Sequence, residues 1–401
     1  MTAGTAIQLS NRRLALVVSA LGLAQIISWG SLYYAIAVLG ESIRQDLKVS
    51  SNMVFGAFTF SLLVSGLVAP RIGKLIDQRG GRQVLCGGSL LACIALAVAA
   101  SAQGVGSLLL GSFLCGAAMA VCLYEAAFIT LNQIAGERYR HAVTALTLYG
   151  GLASTAFWPL SQWLLDLVGW RYALLSYAAL QLLLCFPLHA IFLPAGKPQE
   201  MHVAVTREQQ DATSQVKTYR WLAVAFCVGS FVLSALSVHM IGLLKQAGLT
   251  PGQAVLVATL IGPMQVLVRL LEFVFARRAG PVLVGGVSFV LMVSATLCLY
   301  SVQGYSLLAF LVAVLYGFAN GIFTIVRGTV PAVLFGRQGY GALLGRLARP
   351  AFIARALAPF AFSAFLTLGL VSGQAILALS ACSVLAGLAY LRTTRLARLK
   401  A

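Results

Sequence analysis

Five ionisable side chains interrupt otherwise apolar runs of this chain: Glu125 in CLYEAAF, Arg269 and Glu272 in VLVRLLEF, Arg327 in FTIVRGTV and Arg355 in FIARALAP. A charge at the centre of an apolar helix costs about 2.5 to 3.5 kcal/mol on insertion scales, so each of these needs a partner or a task. Two chemistries suit the residue types. A guanidinium binds a carboxylate through paired hydrogen bonds, and a buried carboxyl can exchange a proton or act as a counter-charge. Glu272 follows Arg269 by one helical turn and can pair with it, and Glu125 is the candidate partner of Arg327. Three arginines against two glutamates leave one cation, and all three arginines lie in the second half of the sequence. That surplus points to an anionic ligand. No nucleophile with a base, phosphate-cradling loop or metal-ligand spacing accompanies them, so the expectation is a protein that is not an enzyme and uses no cofactor or metal.

The elements that must hold these charges are membrane helices. The 401 residues are 60% hydrophobic and only 9% charged, with a mean hydropathy of +0.91, outside the range of a soluble domain. Segments of the roughly 20 apolar residues needed to span a bilayer fall at 14–39, 52–72, 84–102, 106–133, 142–166, 171–193, 220–244, 251–275, 282–301, 305–334, 342–370 and 373–391. The expected fold is an all-α membrane protein of twelve helices. The first segment follows Arg12 and Arg13 and is read as helix 1, being too long for a signal-peptide core.

A net charge of +18 raises the question of nucleic acid, but the distribution of the basic residues reports topology instead. With the N-terminus inside, cytoplasmic segments hold Arg12 and Arg13, Arg71 to Arg82, Arg138 and Arg140, Lys197 to Arg220, Arg277 and Arg278, Arg337 to Arg349, and Arg392 to Lys400; the other side has Arg44, Lys48, Arg171 and Lys245. The positive-inside rule then puts both termini in the cytoplasm, and short loops suit an inner (plasma) membrane. No nucleic-acid partner is expected, only the lipid bilayer, a small organic anion and protons, with a monomer as the working unit. The eight cysteines lie in or beside apolar segments without C-x-x-C spacing and read as small hydrophobes.

The polar stretch from Leu193 to Arg220 divides the helices into six and six. We therefore expect an N-terminal bundle at 1–193, a cytoplasmic linker at 194–219 and a C-terminal bundle at 220–401. An offset of about 200 aligns Pro159 with Pro359, Gly136 with Gly336, Ser50 with Thr250 and, one residue further, Gly116 with Gly317. Two pseudo-symmetric six-helix halves with a site near the midplane between them is a secondary-transporter plan. Depths follow at about 1.5 Å per residue from cytoplasmic arginines: roughly 12 Å for Arg269, 15 Å for Arg327, 20 Å for Glu125 and 9 or 21 Å for Arg355. Midplane lies about 15 Å down, and Glu272 is nearer the surface.

The loop GKLIDQRGGR, residues 73 to 82, resembles the G-x-L-x-D-R-x-G-R-R signature of the major facilitator superfamily through Gly73, Leu75, Asp77, Gly80 and Arg82; Gln78 and Gly81 stand where that signature has arginines. Gly73 and Gly80 permit close approach and a tight turn, while Asp77 can face helix N-terminal amides. The implied role of Gly73, Asp77, Gly80 and Arg82 is gating. The Gly169–Arg171 start of helix 6 extends the resemblance.

Within the superfamily the chain resembles the oxalate/formate exchanger and monocarboxylate-transporter branch. That resemblance implies that Arg269 and Arg355 hold the substrate anion, with Tyr33, Tyr34, Tyr124 and Tyr149 as an aromatic box. Arg355 replaces a lysine of the oxalate exchanger, and Arg327 stands where that exchanger is aromatic. Gln25 and Trp29 share a helical face and can line a cavity, as can Gln265 and Asn320, although helix-helix hydrogen bonds account for the latter two as well; His239 reads as structural. The favoured function is secondary active transport of a mono- or dicarboxylate by alternating access, proton-coupled through Glu125 or by anion exchange. Efflux of drug-like or amphipathic compounds is the alternative, but the Gly-Pro drug-antiporter signature is absent from GGLASTAFWPLSQW.

Overall fold

In the computed structural model, residues 9–195, 209–275, 279–303, 305–367 and 372–398 are described. Most of the expected linker, 196–208, and both Arg277 and Arg278 lie outside them, as do residues 368–370 at the end of the eleventh expected segment. All regular structure among the described residues is helical, and the chain divides into two compact units, 1–201 with 337–349, and 202–336 with 350–401.

The first unit opens with α1 (Asn11–Trp29), capped by Ser10 Oγ accepting from the Arg13 amide, and continues through a π turn at Gly30–Tyr34 into α2 (Ile36–Leu47). Then come α3 (Ser51–Arg79) and α4 (Gly81–Ala100), separated only by Gly80, whose φ of 81° makes the reversal that the loop requires. A single extended residue, Leu123 (φ −85°, ψ −171°), breaks the next rod into α5 (Val105–Cys122) and α6 (Tyr124–Ile134). After α7 (Tyr139–Gly151), α8 (Ala153–Leu180) turns at Gly169 (φ 79°, ψ 169°), and a second π turn at Gln181–Cys185 leads to α9 (Phe186–Phe192). At that corner Asp46 accepts from Trp170 Nε1 (3.2 Å) and Arg171 Nη2 (2.8 Å).

The second unit holds α10 (Gln209–Gln246), α11 (Pro251–Phe275), α12 (Pro281–Tyr300), α13 (Ser306–Phe335) and α15 (Ser372–Arg398). The last long helix before α15, α14 (Tyr340–Thr367), has residues up to Arg349 grouped with the first unit and the remainder with the second. Ten stretches of the described residues are long and apolar enough to cross a membrane. One of these, Gly136–Phe192, contains the Gly169 turn and so accounts for two of the expected segments, and α14, which carries Arg346, Arg349 and Arg355, supplies another. The architecture is consistent with twelve helices. One boundary differs: α10 begins at Gln209, inside the stretch expected to be linker.

The repeat at an offset of 200 reaches the backbone itself. Lys48 and Gly248 both adopt positive φ (51° and 97°), as do Gly136 and Gly336 (55° and 81°). Ser50 caps α3 through the Met53 amide and Thr250 caps α11 through the Gln253 amide. A Cβ built on Gly116 would lie 2.2 Å from the Ser61 carbonyl oxygen of α3, and one on Gly317 2.6 Å from Met264 Cβ of α11. Equivalent glycines therefore seat equivalent helix pairs.

Core and periphery follow the membrane pattern. Leu21, Ile76, Phe128 and Tyr177 fill the first unit, while Phe226, Phe289 and Phe323 pack ring on ring in the second. Large apolar side chains such as Leu183, Val274 and Leu307 point outward, as lipid contact requires.

Candidate functional site

In the second unit α11 answers the question that its charges pose. Arg269 and Glu272 are 4% and 8% exposed, whereas Leu270, Leu271, Phe273 and Val274 around them are all more than 40% exposed. Charge faces the protein and hydrocarbon faces outward. This inverts the arrangement of a soluble amphipathic helix. The same helix approaches α13 at Gly321, where an added Cβ would meet Val268 Cγ1 at 2.5 Å.

Arg327 on α13 and Arg355 on α14 are brought together through a residue that sequence reasoning does not single out. The buried ring of Phe352 is near both, with its centroid 5.8 Å from the Arg327 guanidinium carbon and 5.6 Å from that of Arg355, within cation–π range of each. Each arginine stands four residues before a proline, Pro331 and Pro359. Proline has no N–H, so the carbonyl four residues earlier loses its helical donor. For Arg355 that carbonyl accepts Ser234 Oγ from α10 at 2.8 Å. The Arg355 guanidinium itself has no hydrogen bond or ion pair among the described residues. His239 lies one turn beyond, its Nε2 donating to the Pro359 carbonyl (3.1 Å). A proline four residues after an intramembrane arginine is the sequence signal that marks both positions.

In the first unit the aromatic residues gather where helices are irregular. Trp29 ends α1, and the π turn that follows carries Tyr33 and Tyr34; π turns of this kind recur at functional sites. Ring centroids separate Trp29 from Tyr33 by 5.1 Å, from Tyr34 by 6.2 Å and from Tyr124 by 5.0 Å. Phe58 and Trp158, not anticipated, extend the cluster from Tyr33 and Tyr34. Gln25 is wholly buried, accepting from Trp29 Nε1 (3.1 Å) and donating to the Cys122 carbonyl (2.7 Å) next to the Leu123 break. Tyr124 donates to the Thr147 carbonyl at 3.3 Å, its ring admitted by Gly150. Glu125, 6% exposed, occupies the first turn of α6, where N-terminal amides present partial positive charge. Tyr149 stands apart from this cluster, packed on Gly22 and hydrogen-bonded to Ser19 Oγ at 3.0 Å.

A second group in the first unit surrounds the signature loop. Asp77 accepts from the Gly341 amide (3.0 Å) through one oxygen and from the Ala342 amide (2.8 Å) through the other, at the start of α14. Gly73 makes this approach possible: an added Cβ would sit 2.0 Å from the Gly341 carbonyl oxygen. Beside it Arg337 and Asn132 bond reciprocally, Nε to Oδ1 (2.9 Å), Nη2 to the Asn132 carbonyl (3.1 Å) and Asn132 Nδ2 to the Arg337 carbonyl (3.1 Å). Partial burial pulls the Arg337 guanidinium below its ordinary pKa, and the Tyr139 ring lies under it at 5.3 Å. Tyr139 and Tyr340, 201 residues apart, meet hydroxyl to hydroxyl at 2.9 Å. Gly80 forms the turn, and Arg82 lies just beyond it in the first turn of α4. Gln265 and Asn320 are partly buried on α11 and α13. All eight cysteines are free, and no metal-binding group occurs among the described residues.

Residues 21–345 match the family model of the Major Facilitator Superfamily. Monocarboxylate transporter 13 of Rattus norvegicus is 26% identical over 284 residues, covering 69% of this chain. The chain spans just under two thirds, 65%, of the length of that curated relative. Among solved structures, the human organic anion transporter MFSD10 (TETRAN) has a TM-score of 0.72 at 17% identity, over 96% of this chain and 100% of the other. The proton:xylose symporter XylE scores 0.75 at 14% identity, over 95% of each chain. FucP, a transporter solved in the outward conformation, scores 0.73 at 14% identity, over 95% and 99%. At such identities the likeness is one of fold.

Proposed function

Because this chain belongs to the Major Facilitator Superfamily, whose members are membrane transporters and not enzymes, we propose that it carries a small organic anion by alternating access. The observation behind this reading is the pair of arginines beside Phe352, of which Arg355 has no ion pair or hydrogen bond among the described residues. The guanidinium of Arg355, beside a ring that Arg327 also approaches, is the group that a mono- or dicarboxylate neutralises through paired hydrogen bonds. Arg355 and Arg327 hold the carboxylate, Arg269 adds a third positive charge, and Glu272 orients Arg269 on its own helix. The aromatic contacts come from Tyr33, Tyr34, Tyr124 and Tyr149, and Glu125 serves as proton-coupling group or counter-charge. The related monocarboxylate transporter and the organic anion transporter of like fold are named for substrates of this class.

Gating belongs to Gly73, Asp77, Gly80 and Arg82, with Asp77 releasing the Gly341 and Ala342 amides in the alternate state. On this reading the functional halves are 1–193 and 220–401, joined by a linker at 194–219, in a monomer of an inner membrane with both termini cytoplasmic. Uptake of labelled carboxylates into proteoliposomes tests it. Arg269→Ala and Arg355→Ala should each abolish an anion flux that the wild type carries, and Glu125→Gln should remove proton-driven uptake while sparing exchange. Unaltered anion flux in both arginine variants would exclude the proposal.

A further inference from the structure

A groove of about 230 Å³ runs between α3 and α4 in the first unit, lined by none of the candidate transport residues. Ile72 and Leu75 form one wall, Val84 and Leu91 the other, and Val121 of α5 closes the floor. The gap exists because α4 carries Gly87 and Gly88 there. A Cβ on Gly88 would strike Val121, while one on Gly87 would meet nothing within 4 Å and project into open space. At the loop end Arg79 and Gln83, both exposed, form the rim. Ile72 is seven residues from Arg79, so the apolar part extends about 10 Å from the guanidinium at the rise of an α-helix.

The charge around the rim is one-sided. Arg79 and Arg82 stand at this end against the single acid Asp77, and Arg71 and Lys74 precede them along α3. Asp77 directs its two oxygens to the amides of Gly341 and Ala342. Arg79 has no side-chain hydrogen bond or ion pair among the described residues, so its charge is available to an outside anion. A basic rim above an apolar slot between membrane helices fits one amphipathic partner, a phospholipid whose acyl chain lies in the slot and whose anionic headgroup meets the arginine. A neutral lipid would fill the slot and leave Arg79 unmatched. A soluble anion would do the reverse.

We propose that the α3–α4 groove is a binding site for an anionic phospholipid, with Arg79 as its headgroup contact and the Gly87 gap as its acyl-chain slot. The test uses the full-length protein in neutral detergent, with thermal unfolding followed on adding phosphatidylglycerol, phosphatidylcholine or inorganic phosphate. Binding to the folded state raises the apparent Tm. Phosphatidylglycerol should raise it by several degrees more than phosphatidylcholine at equal mole fraction, and inorganic phosphate should leave it unchanged. Gly87→Leu puts a side chain into the slot from a position whose Cβ meets nothing within 4 Å, and with a better helix former, and Arg79→Gln removes the headgroup contact at an exposed position. Each should cut the phosphatidylglycerol-specific rise by at least half while the lipid-free Tm stays near wild type. Equal effects of the two lipids, an equal rise with inorganic phosphate, or retention of the full difference in both variants would overturn the proposal.

Discussion

In the first unit, the polar groups of the aromatic cluster sit at or beside breaks in the helices: Gln25 and Trp29 lead into the π turn at Gly30–Tyr34, and Tyr124 and Glu125 begin α6 just after Leu123. In the second, Arg269, Arg327 and Arg355 ride on long helices with no π turn or extended residue near them among the described residues. The two regions meet the cost of an intramembrane polar group differently. Gln25 is bonded at both ends, its oxygen to Trp29 and its nitrogen to a carbonyl beside the break. Arg355 has its backbone carbonyl satisfied by Ser234, while its guanidinium, 5.6 Å from the Phe352 ring, has no hydrogen bond or ion pair among the described residues. An amide bonded at both ends holds a structure together, and on the proposed function Arg355 receives its carboxylate from outside.

That contrast predicts a separation of effects. The largest concerns Arg355→Ala, which should lower kcat/KM for carboxylate uptake by about 100-fold, equivalent to roughly 2.7 kcal/mol, with little change in detergent Tm. Next, Gln25→Leu should lose about 1–3 kcal/mol of stability by stranding the Cys122 carbonyl and the Trp29 N–H. Its Tm should fall clearly while carboxylate uptake per folded molecule changes less than tenfold. Should Gln25→Leu abolish transport in a fully stable protein, the contrast would be broken. Ser234→Ala removes the donor to the Arg355 carbonyl and should cost about 1 kcal/mol, seen as a modest drop in Tm with a small rise in KM. Smallest of all, Tyr124→Phe deletes one long hydrogen bond of 3.3 Å and should change stability by less than about 1 kcal/mol, the stacked contact with Phe128 at 5.3 Å remaining.

Much of this arrangement is legible in the sequence. Long apolar runs announce the helices, and the 200-residue offset announces a repeat that reappears in the positive φ of Gly136 and Gly336 and in the caps at Ser50 and Thr250. The five charges stand out because almost every other Arg, Lys, Asp or Glu of the chain falls in a loop or at the end of an apolar run. Other features leave no trace. The π turn at Gly30–Tyr34 inserts a residue without altering hydropathy, and Leu123 is an apolar residue among apolar residues, so neither break is visible. Phe352 looks like one more core aromatic: Arg355 stands one helical turn from it on α14, but only the tertiary fold brings Arg327 from α13 to the same ring. The reciprocal bonds of Asn132 and Arg337 join residues 205 apart, beyond the reach of any local pattern. The start of α10 at Gln209 escapes notice because its first turns are polar, and polar composition there reads as linker.

The most direct measurement is carboxylate binding to purified wild-type and Arg355→Ala protein, read as the Tm shift across a panel of mono- and dicarboxylates with matched neutral amides. At least one carboxylate should raise the wild-type Tm by several degrees while its amide does not, and Arg355→Ala should lose that shift while keeping its own unliganded Tm. An Arg355→Ala protein that binds the same carboxylate as tightly as the wild type would contradict the account.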